Sequence, residues 1–353
     1  MAFIILTLLL LTFTLAPLSR SEIWWIRGWD FPRMQLFVAM VALVVIEFII
    51  WDLSITRNLI IIGLGLLGAL YLGWWIIPYT VFYKKEVKEA LELDPKNKIK
   101  IMVANVLITN RNVEKLLALI DENDPDIMVT LETDIWWQKK LDVLEDEYPF
   151  TIKCPLENTY GMHVYSKYVL LDPKISFLIE DDVPSMSARA VLPSGEKILI
   201  YFLHPAPPSP TENETSVERD AELLLIAKEV KDMEEPVIVT GDMNDVAWSY
   251  TTRLFRKISK MLDPRVGRGM FSTFHAEYPL IRWPLDHLFH SPHFTVVQVK
   301  RLPYFHSDHF PFLIELELTK GVEKVQEGLE EKAEDQKIAD EKIEKGKERI
   351  IYN

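Results

Sequence analysis

Three long apolar runs lie ahead of residue 82: Ala2 to Leu18, Met34 to Trp51 and Leu59 to Thr80. Each approaches the roughly 20 residues a helix needs to cross a bilayer, and in hydrocarbon a helix can satisfy its own backbone polar groups. Residues 1–82 therefore read as about three transmembrane helices. The first run lacks a basic start and is followed by Arg20 in place of a small-residue cleavage site, so an uncleaved anchor fits better than a signal peptide. Glu47, in the second run, is costly in hydrocarbon and points to packing between helices; a transporter would need more polar groups along so few spans. The stretch from Trp24 to Pro32, with Trp24, Trp25, Trp29 and Phe31, has the composition of an interfacial aromatic belt.

Orientation rests on few charges. Arg20, Arg27 and Arg33 fall in the first loop, Arg57 alone in the second, and Lys84, Lys85 and Lys88 after the third run. The positive-inside count leans cytoplasmic for the first loop and the soluble part, with an exported face as the alternative if the first segment is cleaved or re-entrant. Cys154 is the single cysteine, which excludes an internal disulfide framework. Asn213-Glu-Thr215 matches a glycosylation sequon, a pattern frequent by chance.

After a linker at 83–97, residues 98–318 alternate strands and helices, and the strands share a habit. Pro236-Val-Ile-Val-Thr-Gly-Asp-Met-Asn-Asp245 is a β-branched run that breaks at Gly241 and delivers Asp242 and Asn244 just beyond it. Lys98 to Asn105, Ile127 to Glu132 and Lys197 to His204 end likewise on a polar residue. Asn110 is placed to cap a helix carrying Val113, Leu116, Leu117 and Ile120 at helical spacing, closed by Asp124-Pro125. Further helices are expected near 135–147, 216–233 and 248–258, and strands near 161–166, 187–192, 285–289, 294–299 and 311–318. Helices between strands indicate a layered α/β fold, and the run of short strands indicates mixed pairing.

Asn105, Glu132, His204, Asp242, Asn244, Asp286, Asp308 and His309 make an oxygen-rich strand-end set without cysteine, which suits Mg²⁺ or Mn²⁺ better than structural zinc. A hard cation beside imidazoles that can meet a phosphate suits metal-assisted phosphoester hydrolysis. Taken singly, each has a plainer role as a helix cap, turn former or satisfied histidine.

The order Asn105, Leu-Glu132, His204, Gly-Asp242-Met-Asn244, Leu-Asp286-His and Ser-Asp308-His309 resembles the endonuclease/exonuclease/phosphatase superfamily, the deoxyribonuclease I-like proteins, over about residues 98 to 318. The Phe31-Pro-Arg33 loop, the three spans and His204 to Pro208 resemble a membrane-attached bacterial branch of it. The resemblance implies a four-layer α/β/β/α sandwich with its site at one edge of two packed sheets. It implies Glu132 as principal metal ligand, with Asn105 and Asp308 completing or supporting the metal site. Asp242 would orient or deprotonate a water, and Asn244 would position that water or a phosphate oxygen. His309, held by Asp286, and His204 would face the phosphoryl group, and Arg189 would support the site unless it is an ordinary surface arginine. Nuclease relatives of the exonuclease III type commonly carry an acidic residue at the position of Leu107, a departure that weakens an abasic-site repair role.

Between Lys84 and Lys320 there are 38 acidic and 28 basic residues, a poor match for sequence-independent binding to a polyanion. A flexible linker of about 15 residues spans only about 20 Å, so the domain stays near lipid headgroups. The expectation is therefore a membrane-anchored, divalent-metal-dependent phosphoesterase, with a lipid headgroup or small phosphoester slightly preferred. A membrane-tethered nuclease is the alternative, and a non-catalytic binding protein on the same fold is the alternative of another class. The Glu/Lys-rich tail, 319–353, has no continuous heptad, because Lys332, Gln336 and Gly346 interrupt the seam; a solvated helix or partly disordered tail is expected.

Overall fold

The computed structural model describes residues 1–91 and 93–352. Helix α1 (Ala2–Leu15) continues in a 3₁₀ turn, a single-turn α2 (Trp24–Arg27) follows, and α3 (Arg33–Ile50) and α4 (Thr56–Ile76) pack on each other. Three helical stretches, Ala2–Ser19, Arg33–Ile50 and Thr56–Tyr79, are long and apolar enough to cross a membrane. Glu47 is buried among them and accepts a hydrogen bond from the Thr7 hydroxyl at 2.7 Å, a contact between helices.

The remaining chain runs β1 (Lys98–Asn105), α5 (Val113–Asn123), β2 (Ile127–Leu131), α6 (Ile135–Leu141), β3 (Phe150–Cys154), β4 (Met162–Ser166), β5 (Leu170–Ser176), β6 (Ser185–Val191) and β7 (Lys197–Leu203). It continues through α7 (Val217–Val230), β8 (Val237–Asp242), α8 (Tyr250–Ser259), β9 (Asp286–His290), β10 (Phe294–Arg301), β11 (Phe312–Leu318) and α9 (Ala333–Tyr352). One sheet has the order β10-β11-β1-β2-β4-β3 and the other β5-β6-β7-β8-β9. The pairs β1–β2 and β7–β8 are parallel and the others antiparallel.

Side-chain alternation builds the layers. On β1, Ile99, Ile101 and Val103 face the second sheet, where they meet Ile198, Ile200 and Phe202 of β7 in one core. Met102 and Ala104 point the other way, under α5 and α6. Leu199, Tyr201 and Leu203 of β7 face α7, α8 and α9. This is the α/β/β/α sandwich, and period-two alternation requires such faces once both sides of a strand are covered.

Four expectations change. Residues 83–97 are not a free linker: Val87 is fully buried, Ala90 N–H donates to Val296 O at 2.9 Å and Glu86 pairs with Arg256. The tail is helical and exposed on its outer face, but it is not free: α9 lies on α7 with Ala339 and Ile343 buried. Helix α5 takes Asn112, not Asn110, as its N-terminal cap residue; Asn110 shapes the preceding turn by accepting from Asn112 N–H at 3.0 Å. Arg189 lies midway along β6 opposite Leu199, near the amino end of β7 and away from His204, and its guanidinium is bound by Glu235 at 2.7 Å. Strands β3 and β5 lie outside the expected segments.

Candidate active site

The two parallel pairs lay the carboxyl ends of β1, β2, β7 and β8 side by side, the position where open α/β sheets gather functional groups. Asn105 closes β1, Glu132 follows β2, His204 follows β7 and Asp242 closes β8. Gly241 permits that last placement. Its φ is +141° and a Cβ there would stand 1.9 Å from Leu203 O, so any other residue would force β8 off β7. Across β8–β9, Asp242 and Asp286 are direct partners, which puts two carboxylates side by side.

The contacts converge on these groups. Asn105 Nδ2 donates to Glu132 Oε1 at 2.8 Å and to Asp242 Oδ2 at 3.2 Å, while Asn105 Oδ1 accepts from Leu107 N–H at 3.1 Å. Ile108 N–H donates to Glu132 Oε2 at 3.2 Å. Glu132 has φ +59°, a sparsely populated conformation for glutamate, and its carboxyl is held at both oxygens. His309 Nδ1 meets Asp286 Oδ2 at 2.8 Å, and its Nε2 stands 3.5 Å from Asp242 Oδ2. Ser307 ties this loop to β1 by donating to Asn105 O at 2.7 Å, and it accepts from His309 N–H at 3.1 Å.

Electrostatics divide the two imidazoles. Burial pulls the His309 pKa down, but Asp286 and Asp242 prevail and push it up to about 10, so this ring carries charge at neutral pH. His204, buried beside Tyr160 with Nδ1 unpartnered among the described residues, is lowered to about 4 by burial and stays neutral. Burial, together with Asp308, pushes the Glu132 carboxyl up to about 7 against the pull of Asn105. Burial also raises Asp242.

Asp242, Asp286 and His309 form the tight cluster of ligand-type atoms, within 4.8 Å of one another. A protonated imidazole offers no lone pair, so His309 is a poor cation ligand in this arrangement. The residues nonetheless fit a divalent cation. Asp242 and Asp286 meet on one imidazole, Asn105 ties Glu132 to Asp242, and among the described residues none of the carboxylates of Glu132, Asp242, Asp286 and Asp308 pairs with a lysine or arginine. Asp286 Oδ1 is buried with no partner among those residues. Asn105, with its amide nitrogen toward Glu132 and Asp242, acts here as a clamp on carboxylates. Asn244, at φ +50°, commits an N–H to Pro205 O at 3.0 Å, so it also braces the loop after His204.

Sequence reasoning passed over the groups that hold this loop from behind. Arg219 of α7 donates to Asn244 O at 2.7 Å and pairs with Asp245 at 3.4 Å. Arg27, between the first two long apolar helices, reaches Asp245 at 3.6 Å and Asp30 at 2.7 Å. Trp248 Nε1 donates to Asp30 O at 2.8 Å. The only sequence signal was an Asp beside Asn244; nothing local ties it to residues more than 200 positions away.

Buried carboxylates, a charged imidazole and a neutral one at the adjoining strand ends of two packed sheets define a hydrolytic site suited to a cation and an anionic substrate. The sequence model of the Endonuclease/Exonuclease/phosphatase family matches residues 102–309, and the chain belongs to that family. It is thereby a metal-dependent hydrolase of phosphoric ester bonds. Solved structures agree on the fold. An endonuclease/exonuclease/phosphatase from Beutenbergia cavernae is 18% identical over 64% of this chain and 72% of that one, with TM-score 0.52. One from Bacteroides vulgatus is 20% identical over 63% and 100%, with TM-score 0.51. D. rerio TDP2, solved with a single strand DNA product, is 16% identical over 62% and 98%, with TM-score 0.51. No curated protein sequence matches the chain.

Proposed function

We propose that the protein is a membrane-anchored phosphoesterase that hydrolyses a phosphodiester or phosphomonoester by in-line attack of water, with a lipid headgroup or small phosphoester as the preferred substrate. The observation that carries this is the meeting of two carboxylates, Asp242 and Asp286, on one charged imidazole, with Glu132 tied to Asp242 through Asn105 and no lysine or arginine partner for any of them among the described residues. Glu132, aided by Asp308 and oriented by Asn105, would hold Mg²⁺ or Mn²⁺. When bound, such a cation offsets charge on the phosphoryl oxygens. Asp242, with its carboxyl raised by burial, takes a proton from the attacking water. His309 directs its Nε2–H at a phosphoryl oxygen, and Asp286 fixes that direction through Nδ1. His204 offers a second, neutral imidazole, and Asn244 holds its loop.

The acidic surface disfavours nucleic acid, and the spans keep the domain beside lipid. Lys84, Lys85 and Lys88 after the third span favour a cytoplasmic face. The test is a screen of the full-length protein with Mg²⁺ and Mn²⁺ against phospholipids, sphingomyelin, phosphoinositides, simple phosphodiesters, DNA and RNA. Turnover of a lipid or small phosphoester is expected. Preference for DNA or RNA would make it a tethered nuclease, and metal binding without turnover on any substrate would make it a binding protein.

A further inference from the structure

The loop between α8 and β9 ends in an apolar tip that lacks cover. Tyr278 is 55% and Leu280 84% exposed, with Pro279 between them and Ile281 also exposed. An isolated exposed leucine needs no explanation, but a contiguous tip of this kind marks a contact surface.

Its position says what it contacts. Gln35 Nε2, in the first turn of α3, donates to Leu280 O at 2.9 Å. Helix α3 has 18 residues. At 1.5 Å per residue it is about 27 Å long, no more than the roughly 30 Å hydrocarbon layer it must cross. It has no length to spare, so Gln35 lies at the boundary between hydrocarbon and headgroups, and the bonded Leu280 lies there too. Phe31, just ahead of α3, packs edge-on against Trp283 at 5.5 Å and secures the other side of the loop.

The stem of the same loop reaches the catalytic residues. Ala276 N–H donates to Asp308 O at 2.6 Å, and the Phe274 ring lies 5.0 Å from that of His309. Leu280 is four residue steps on from Ala276, at most about 14 Å of extended chain. The headgroup layer on each side of a bilayer is about 5–8 Å deep.

We propose that the Tyr278–Ile281 tip inserts into the interface of the bilayer that holds α3, so that the site receives phosphoesters presented in the headgroup layer of the protein's own membrane. This rests on the phosphoesterase reading for its substrate and on the spans alone for its geometry. The insertion brings lipid phosphates to His309 and Asp308, while a soluble diester reaches the same groups without it.

The test uses the full-length protein in phosphatidylcholine–phosphatidylglycerol vesicles. In a Cys154→Ser background, Leu280→Cys carries an environment-sensitive fluorophore. Lys320→Cys, just past the end of β11 remote from the site, is the control. Blue-shifted emission and quenching by spin-labelled lipid at position 280 alone are expected; emission at 280 like that at 320 overturns the proposal. In a second arm, Leu280→Asp with Ile281→Asp should reduce hydrolysis of vesicle phospholipid about tenfold or more, the burial lost by two such side chains, and leave a soluble aryl phosphodiester within about twofold. Equal losses on both substrates overturn it. If no substrate is turned over, the functional reading fails, and the fluorescence still decides whether the tip inserts.

Discussion

Glu132 combines a left-handed backbone, two hydrogen-bonded carboxyl oxygens and a carboxyl pushed up to about 7 by burial and by Asp308. A cation needs this group ionised, so protons compete for it, and metal affinity should fall as the pH drops below about 7. The apparent Mn²⁺ dissociation constant should rise about tenfold per pH unit below that point, with calorimetry as the readout. Glu132→Gln should abolish that slope, and a flat wild-type profile between pH 5.5 and 7 would remove Glu132 from the metal site. Asp242→Ala and His309→Ala should each lower turnover on the order of 10² or more while circular dichroism stays unchanged. Folded variants with wild-type turnover would move the chemistry elsewhere. Glu132 and Asp242 were legible as strand ends because apolar runs stop at them, and His309 through the Ser-Asp-His run ahead of the last strand. The division of charge between His309 and His204 was not, since it depends on which imidazole lies against Asp286.

At the scale of elements, most strands and helices followed from periodicity, and the failures have physical causes. Strand β5 carries mostly exposed residues, with Asp172 and Pro173 in its middle, so no apolar pattern marks it. Helix α9 was expected to stay in solvent because a heptad fails there, yet Gly346, one of the interruptions, is what allows docking. A Cβ at Gly346 would come within 2.3 Å of Ala221 Cβ on α7. Lys342 completes the contact by pairing with buried Asp220 at 2.9 Å. Burial alone would raise the Asp220 carboxyl; Lys342, Arg219 and Arg27 overrule it and hold it well below the usual carboxylate range. Gly346→Val should therefore destabilise the chain by about 1–3 kcal/mol through overpacking, read as a lower thermal midpoint. An unchanged midpoint would mean that α9 does not rest on α7.

For the molecule as a whole, the three long apolar helices and the catalytic sandwich are one structure. The loop after the first apolar helix pairs with the catalytic layers through Ser216 N–H to Glu22 O at 2.8 Å and Trp24 N–H to Glu214 O at 3.0 Å, so a bilayer crossed by these helices would have both on the same face. The residues after the third span and the carboxyl-terminal helix wrap the sandwich as well, which makes the full chain the proper object for assay. The apolar runs and the strand-end polar residues were visible in the sequence, but not the attachment of one region to the other, because each contact joins residues far apart in the chain. The most direct measurement is phosphoester hydrolysis by the full-length protein in vesicles with Mg²⁺ or Mn²⁺, followed by EDTA and then restored metal. The account predicts turnover that stops with chelation, returns with metal and is lost in His309→Ala. Turnover that persists in EDTA, or that His309→Ala retains at the wild-type rate, would contradict it.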